Sequence, residues 1–192
     1  MIKFPGSNKF KTAVFISGKG SNFKNLVKFS LIRNSPISIK LVVSNNTKAK
    51  GLRFAKQKKI ERKIYKFENK IKDENQILNH LKKNKIKLIC LAGFMIILSK
   101  NFIKKFNKKI VNIHPSLLPK YKGLNTHERA IKNKDKFTGC TVHYVNEKLD
   151  SGKIIIQKKV RITKIDNPNS LAKKVLKQEH KIYPAAIMKI FN

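Results

Sequence analysis

A chain of 192 residues with 41% hydrophobic residues is long enough to bury a core without disulfide bridges or metal ions. No apolar run reaches the ~18–20 residues that span a bilayer, and MIKFPGSNKFK lacks the apolar core of a signal peptide, so we expect a cytoplasmic protein with no membrane partner. The net charge is +35, but only five of the 45 basic residues are Arg, the residue favoured for base and phosphate recognition, so we expect no nucleic-acid partner.

The first hundred residues alternate short β-rich apolar runs with longer segments of helical periodicity. The elements predicted there, in chain order, are strand Lys11–Ile16, helix Asn22–Ile32, strand Ile37–Val43, helix Ala49–Lys58, helix Lys70–Asn84 and strand Lys87–Ala92. Residues 1–10 are predicted to be a loose N-terminal extension. Alternation of this kind is typical of βαβ units and therefore of a parallel sheet.

The second half of the chain has a different order of elements. They are, in chain order, strand Ile110–Ile113, helix Thr126–Asn133, strands Thr138–Val145 and Lys153–Ile162, and helix Pro168–Ile190. The last two strands are separated only by a short link containing EKLDSG, which predicts an antiparallel pair at the sheet edge. We therefore expect residues 1–192 to form one α/β domain with an open, Rossmann-like, mostly parallel sheet, helices on both faces, and an antiparallel edge near the C-terminal end.

Ligands of such sheets bind beyond the carboxyl ends of the strands. This rule places four loops on one rim, namely SGKGSN, SNNT, GFMIILS and NIHPSLLP.

The first of these loops has the pattern of an anion site. Gly20 permits a close backbone approach, and Ser21 and Asn22 open the following helix with their N–H groups unsatisfied. The third glycine of a dinucleotide fingerprint is replaced by Phe23, no acidic residue precedes Glu61, and no Gly-Lys-Ser/Thr follows. A single phosphate therefore fits better than a nucleotide cofactor, although the same residues also form an ordinary turn and helix cap.

The stretch VNIH combines two polar side chains on one face of a strand. Residues two apart share a face, so Asn112 and His114 point the same way while Val111 and Ile113 point into the core. An amide and an imidazole side by side suit the stabilisation of an oxygen that becomes negative while a proton moves.

Asp150 lies in a turn between two apolar runs. If this turn reaches the same rim, the Asp150 carboxylate would orient His114 and raise its pKa. The alternatives are that Asp150 is only a turn former and that His114 is a structural histidine.

The other histidines and the cysteines favour structural roles. His127 falls at a helix start, which favours a structural role. His143 falls inside a strand, where a role in packing and a role in chemistry are equally compatible with the sequence. A zinc site formed by His114, His127 and His143 is conceivable, but Cys140 cannot easily join it, because Cys140 and His143 are three apart in a strand and face opposite ways. We therefore expect no metal site, and Cys90 and Cys140 are predicted to be buried free thiols.

Five segments, in order and at matching spacing, make the chain similar to a known family. They run from about Thr12 to Pro184 and read VFISGKGSN, LAGFMIILS, VNIHPSLLPKYKGLNTH, TVHYVNEKLDSG and KQEHKIYP. The chain resembles the glycinamide ribonucleotide formyltransferases, the folate-dependent enzymes of purine synthesis. The resemblance implies transfer of a formyl group from the co-substrate 10-formyltetrahydrofolate to the amine of glycinamide ribonucleotide. These two small molecules are the expected partners, with no metal, and the protein is expected to be a monomer or homodimer.

The resemblance also implies roles for single residues. Asn112, protonated His114 and Asp150 match the catalytic trio, in which the first two stabilise an oxyanion and Asp150 orients His114 and a proton-carrying water. Residues 20–22, already singled out as an anion site, match the loop that holds the substrate phosphate. Glu179 matches a carboxylate near the glycinamide amine.

On the folate side, the resemblance implies contacts from the segment Met95, Ile96, Ile97 and Leu98, from Asn112, and from Lys70 near the glutamate tail. Many relatives carry Arg at the position of Ile96, so an ionic contact is lost there while main-chain contacts remain. Lys122 and Asn125 replace the more usual Pro and His.

Three rival interpretations are weaker. The catalytic domain of methionyl-tRNA formyltransferase shares the SLLP loop and the trio, but it works with a C-terminal tRNA-binding domain for which no residues are left. A formyltetrahydrofolate hydrolase would carry an N-terminal regulatory domain. A non-enzymatic basic module would bind polyanions in a salt-dependent way and would not need Asn112.

Overall fold

The computed structural model describes residues 9–191, which form seven strands and six helices. The strands are β1 Phe10–Ile16, β2 Ile37–Ser44, β3 Glu61–Ile64, β4 Leu88–Leu91, β5 Lys109–His114, β6 Phe137–Tyr144 and β7 Ile154–Arg161. The helices are α1 Ser21–Leu31, α2 Lys50–Gln57, α3 Lys70–Lys83, α4 Lys100–Phe106, α5 Thr126–Lys132 and α6 Pro168–Phe191.

All seven strands belong to one sheet with the order β3-β2-β1-β4-β5-β6-β7. The β1–β2, β1–β4 and β2–β3 pairs are parallel, and the β6–β7 pair at the other end is antiparallel. With helices packed around this sheet, the predicted α/β class and the antiparallel edge are confirmed.

The chain groups into two compact units, with the boundary between Val111 and Asn112 and with Phe191 in the first unit. In the first unit, the side chains of β1 from Ala13 to Ile16 are fully buried, as expected for a parallel strand covered on both faces. Phe15 packs edge-on against Phe94, with ring centroids 5.3 Å apart. This buried strand holds the loop that follows Ile16 in a fixed position.

The second unit is built around the β6–β7 hairpin and α6. Residues 138–143 of β6 are all buried, whereas β7 exposes most of its side chains, as an edge strand does. Within α6, a buried face runs from Leu171 through Val175 and Glu179 to Tyr183. None of the helices within residues 9–191 is both long and apolar enough to cross a membrane.

Two elements were not predicted. The β3 strand reads ERKI and is largely exposed, so it carries no apolar periodicity from which to infer it. The seven-residue α4 follows the N-cap Ser99 and buries Phe102 and Phe106, a one-turn spacing that does carry a helical signal.

The predicted loose extension, residues 1–10, falls mostly outside the residues that the structure describes. Residues 1–8 and 192 lie outside the described part of the chain, but Phe10 already belongs to β1, where its N–H donates to Pro36 O over 2.7 Å. The prediction of a single domain over the whole chain stays a prediction.

Candidate active site

The end of β5 places two polar side chains where the sequence predicted them. Val111 and Ile113 are buried in the core, and Asn112 is half-buried on the opposite face. His114, the last residue of the strand, is only 5% exposed. An imidazole this deeply buried must find hydrogen-bond partners within the protein.

His114 lies between two acceptors. Its Nε2 is 2.8 Å from the Tyr121 carbonyl oxygen, which can only accept, so Nε2 carries a proton and donates it. Its Nδ1 is 3.4 Å from Asp150 Oδ2, a distance longer than an ordinary hydrogen bond. The predicted approach of Asp150 to His114 is therefore found in the second unit.

The predicted increase in the pKa of His114 is not found. Burial has the largest effect and lowers the pKa of His114 below its usual value, while the Tyr121 carbonyl and the Asp150 carboxylate raise it by less. The neighbouring His143 and Arg129 lower the pKa further. Asp150 acts with the expected sign, but desolvation outweighs it, so a neutral imidazole with a free lone pair on Nδ1 is favoured.

Asp150 is held by the backbone around it. It adopts a positive φ of 45°, which Asp tolerates better than most residues, and its Oδ2 accepts from Gly123 N over 2.8 Å. Burial tends to raise the pKa of Asp150, but its contacts with His143 and Gly123 and the nearby charge of His114 lower it overall. Asp150 is thus a carboxylate at neutral pH.

Gly152 permits the tight turn that carries Asp150. A Cβ at this position would collide with the Tyr144 carbonyl oxygen and lie 2.7 Å from the carbonyl carbon, a backbone contact that no rotamer change relieves. We therefore expect Gly152→Ala to lower the free energy of unfolding by about 1–3 kcal/mol or more, as overpacking does.

Gly18→Ala is the matched control for this prediction, because a Cβ at Gly18 would have nothing within 4 Å. Its free energy of unfolding should stay within about 0.5 kcal/mol of the wild-type value. Urea denaturation of the three proteins measures the difference, and equal stability of the two variants would contradict the close packing of Gly152 against Tyr144.

The sequence left the role of His143 open between packing and chemistry, and in the structure His143 contacts Asn112 and Asp150. Its Nδ1 lies 2.8 Å from the Tyr144 carbonyl oxygen and must donate there, so Nε2 of the neutral ring accepts from Asn112 Nδ2, 3.3 Å away. This contact fixes the orientation of the Asn112 amide and leaves its second N–H for another partner. Asp150 Oδ1 is 3.6 Å from His143 Nε2.

In the first unit, the glycine loop leads into α1 as predicted. Gly20 is the N-cap residue and has a left-handed φ of 68°, and among the described residues no side chain caps the helix and no acid lies in its first turn. Ser21 begins the helix and Asn22 is buried. The positive end of the helix dipole therefore faces this loop without a competing carboxylate.

Three of the predicted rim loops converge on Ser17. Its hydroxyl donates to Asn45 Oδ1 over 2.5 Å and accepts from Met95 N over 2.8 Å, and its carbonyl accepts from Asn46 Nδ2 over 3.0 Å. The carboxyl ends of β1, β2 and β4 are thus linked, as expected for a parallel sheet.

The side chains of the predicted folate segment differ in exposure. Met95 and Ile97 are 58% and 59% exposed, Ile96 is half-buried, and Leu98 is buried. Lys70 begins α3 and is exposed. The Leu98 side chain therefore anchors the segment in the core, and contact with a ligand falls to its exposed neighbours and the backbone.

Glu179 lies on the buried face of α6. Burial, followed by the negative charge of Glu179, raises the pKa of the Cys140 thiol to about 12. Cys140 and Cys90 are both buried free thiols, as predicted. Within residues 9–191, no three His, Cys, Asp or Glu side chains are arranged to hold a metal ion.

Comparison with known proteins identifies the family. A protein-family model described as formyl transferase matches residues 10–187. Phosphoribosylglycinamide formyltransferase of Haemophilus influenzae is 42% identical over 180 residues, which cover 92% of this chain and 85% of that protein. The chain belongs to the phosphoribosylglycinamide formyltransferase family.

Solved structures and longer relatives agree with this assignment to the phosphoribosylglycinamide formyltransferase family. The crystal structure of phosphoribosylglycinamide formyltransferase from Brucella melitensis has a TM-score of 0.89 and 40% identity and is matched over 95% of both chains. The human trifunctional purine biosynthetic protein adenosine-3 is 42% identical over 184 residues, but the chain spans only 18% of its length. The expected family and fold are confirmed, and the protein is a formyl-transferring enzyme.

Proposed function

We propose that the protein transfers the formyl group of 10-formyltetrahydrofolate to the amine of glycinamide ribonucleotide, with both small molecules as its substrates and in the cytoplasm. The observation that carries the proposal is the arrangement of His114, Asp150 and Asn112 described above, in a member of this family. The amine nitrogen bonds to the formyl carbon, the bond from that carbon to N10 of the folate breaks, and one proton passes from the amine to N10.

Attack on the formyl carbon turns its carbonyl oxygen into an oxyanion. The second N–H of the Asn112 amide is a suitable donor to this oxygen, because the first is directed at His143 Nε2 over 3.3 Å. A donor that is already oriented before the reaction stabilises the developing charge without reorganisation. We assign this role to Asn112 and the positioning of its amide to His143.

The attacking amine must lose a proton, and His114 is the proposed acceptor. Its Nε2 donates to Tyr121 O, so the lone pair on Nδ1 is the basic position, and the lowered pKa keeps the ring neutral before the reaction. On taking the proton, Nδ1–H lies between the oxyanion and Asp150 Oδ2, 3.4 Å away, and the carboxylate stabilises the new charge. A water oriented by Asp150 is proposed to carry the proton on to N10.

The ends of the substrates are assigned to separate groups. The phosphate of glycinamide ribonucleotide is proposed to bind Gly20, Ser21 and Asn22 at the start of α1, and Glu179 to lie near its amine. The segment Met95, Ile96, Ile97 and Leu98 and the backbone of Asn112 are proposed to contact the pteridine, and Lys70 the glutamate tail. The chemistry of each group agrees with its ligand, since helix N-termini bind phosphate and Lys pairs with carboxylates.

The acceptor specificity tests this proposal most simply. Purified protein is mixed with 10-formyltetrahydrofolate and either glycinamide ribonucleotide, methionyl-tRNA or buffer alone, and release of tetrahydrofolate is followed. We expect release only with the ribonucleotide. Equal release with buffer would indicate a hydrolase, and release only with methionyl-tRNA would move the protein to the rival transferase.

The phosphate assignment predicts that Asn22→Asp weakens ribonucleotide binding by about tenfold or more. The substitution keeps the shape of the side chain but places a carboxylate at the anion site, where like charges repel at short range. Asn25→Asp, one turn further along α1, is the control with the same change of charge. Calorimetric titration with glycinamide ribonucleotide should separate the two variants, and an equal loss of affinity in both would move the phosphate away from Asn22.

A further inference from the structure

The segment Met95–Leu98 is anchored at both ends. At its start, Met95 N donates to Ser17 Oγ over 2.8 Å, and Gly93 O accepts from Ser17 N over 3.1 Å. At its end, Ser99 is the N-cap of α4, and its Oγ accepts from Phe102 N over 3.0 Å. Hydrogen bonds therefore hold the first and the last residues of the loop in place.

The anchor at the exit is a buried carboxylate on another helix. Glu74 of α3 is only 5% exposed, and its Oε1 accepts from Ser99 N over 2.8 Å. Its Oε2 accepts a short hydrogen bond from the Ser99 hydroxyl. Burial of a carboxylate is costly unless it is hydrogen-bonded, and here both oxygens receive a donor from the same residue.

Between these anchors the loop projects apolar side chains into solvent. Phe94 is packed between Phe15 and Phe67, with ring centroids 5.3 Å and 5.8 Å away, while Met95 and Ile97 are more than half exposed. Exposed apolar residues on a loop held this firmly are typical of a binding surface whose shape is set in advance.

We infer that Glu74 is a positioning residue that holds Met95–Leu98 in the shape that binds the folate. This inference rests on the proposed function, in which that segment contacts the pteridine. Glu74 itself touches no substrate and acts through Ser99.

The same contact fixes the distance between two parts of the proposed folate site. Lys70, proposed to meet the glutamate tail, lies one turn before Glu74 on α3. Residues four apart on a helix lie on the same side, so the hydrogen bonds from Ser99 to Glu74 tie the end of the pteridine segment to the helix that carries Lys70. Loss of these hydrogen bonds should weaken the binding of the folate and leave the binding of glycinamide ribonucleotide unchanged.

The test compares four variants with the wild type by calorimetric titration with tetrahydrofolate and, separately, with glycinamide ribonucleotide. Ser99→Ala removes the hydroxyl that donates to Glu74 and accepts from Phe102 N, and Ser99→Thr restores both contacts. Glu74→Gln replaces one acceptor by a donor, and Glu68→Gln makes the same change at a side chain that is 79% exposed. Thermal melting checks that each protein is folded.

We expect Ser99→Ala and Glu74→Gln to raise the dissociation constant for tetrahydrofolate about tenfold, as loss of a charge-assisted hydrogen bond does. Ser99→Thr and Glu68→Gln should stay within about twofold, and the constant for the ribonucleotide should not change in any folded variant. If Glu74→Gln does not fold, the Ser99→Ala and Ser99→Thr pair alone gives the result.

Two outcomes overturn the inference, and they can be told apart. If the wild type binds tetrahydrofolate and Ser99→Ala binds it equally well, or if both ligands weaken together, Glu74 has no positioning role and the proposed function stands. If the wild type itself binds no tetrahydrofolate, the proposed function and the inference fail together.

Discussion

His114→Ala should lower kcat for formyl transfer by about 10³-fold or more. The variant loses both the proposed proton acceptor and the positive charge beside the oxyanion, each of which commonly accounts for about 10²-fold or more. Rapid mixing of the variant with both substrates, followed by release of tetrahydrofolate, measures the loss.

The variant should remain folded, so the loss of rate is separable from a loss of structure. Removing the imidazole leaves the Tyr121 carbonyl without its 2.8 Å partner, which costs about 1–3 kcal/mol. His80→Ala on α3 is the control, since His80 has no role in the proposed proton transfer. An unchanged rate in the His114 variant would refute the assigned chemistry.

Asp150→Asn should have the second largest effect, a fall in kcat of about 10³-fold, which is smaller than the loss of about 10⁴-fold when the carboxylate of a Ser-His-Asp triad is made neutral. Asparagine keeps the size of the side chain and can still accept from Gly123 N. It cannot stabilise the charge that His114 gains from the amine. The decrease in kcat therefore measures the effect of the charge of Asp150 and not of the size of its side chain.

The pH dependence of the same variant separates an electrostatic role of Asp150 from a purely structural one, because only the electrostatic role predicts the direction in which the pH profile moves. Asp150 raises the pKa of His114, so its replacement should lower that pKa further. Transfer requires neutral His114 at the start, so activity rises with pH through this pKa. The acid limb of the pH profile of kcat/KM should therefore move to lower pH in Asp150→Asn, and a limb that stays or moves upward would contradict the assignment.

Stability should also follow the charge of Asp150. Its pKa is lowered in the folded protein, so the carboxylate stabilises the fold above its ordinary pKa of about 3.9, and this contribution is lost as the pH falls through the lowered value. The difference in free energy of unfolding between wild type and Asp150→Asn should therefore be largest near neutral pH and vanish in acid.

The sequence was sufficient for the architecture where apolar periodicity was strong. β1 and β2 carry buried β-branched runs and α6 carries a long apolar face, and all three were located within a residue or two of their observed ends. The sequence did not predict β3, because a four-residue exposed edge strand needs no apolar side chains. It needs only a neighbouring strand to pair with, which here is β2.

For the candidate site, the sequence predicted which residues lie together but not the protonation state of His114. The approach of Asp150 to His114 was expected, but the pKa of His114 depends on how deeply the ring is buried, and burial is a property of the folded chain. The contact of His143 with Asn112 joins residues 31 apart on different strands. Only the pairing of strands in the folded sheet brings these two residues together, and no local sequence motif predicts their contact.

The buried carboxylate of Glu74 is a similar case. In the sequence it is one of several polar residues on a charged helix, and nothing in KIKDENQIL distinguishes it from its exposed neighbours. Its partner Ser99 is 25 residues away. A recognisable helix cap at Ser99 would have been the only local clue.

Direct attack of the amine on the formyl carbon is the central claim, and a single turnover with labelled donor tests it. Excess protein is mixed with glycinamide ribonucleotide and 10-formyltetrahydrofolate carrying ¹⁴C in the formyl group, and the reaction is quenched in acid at millisecond intervals. We predict that the label passes from the folate to the ribonucleotide without ever being bound covalently to the protein. A labelled formyl-protein that forms and decays on the way to product would contradict the account.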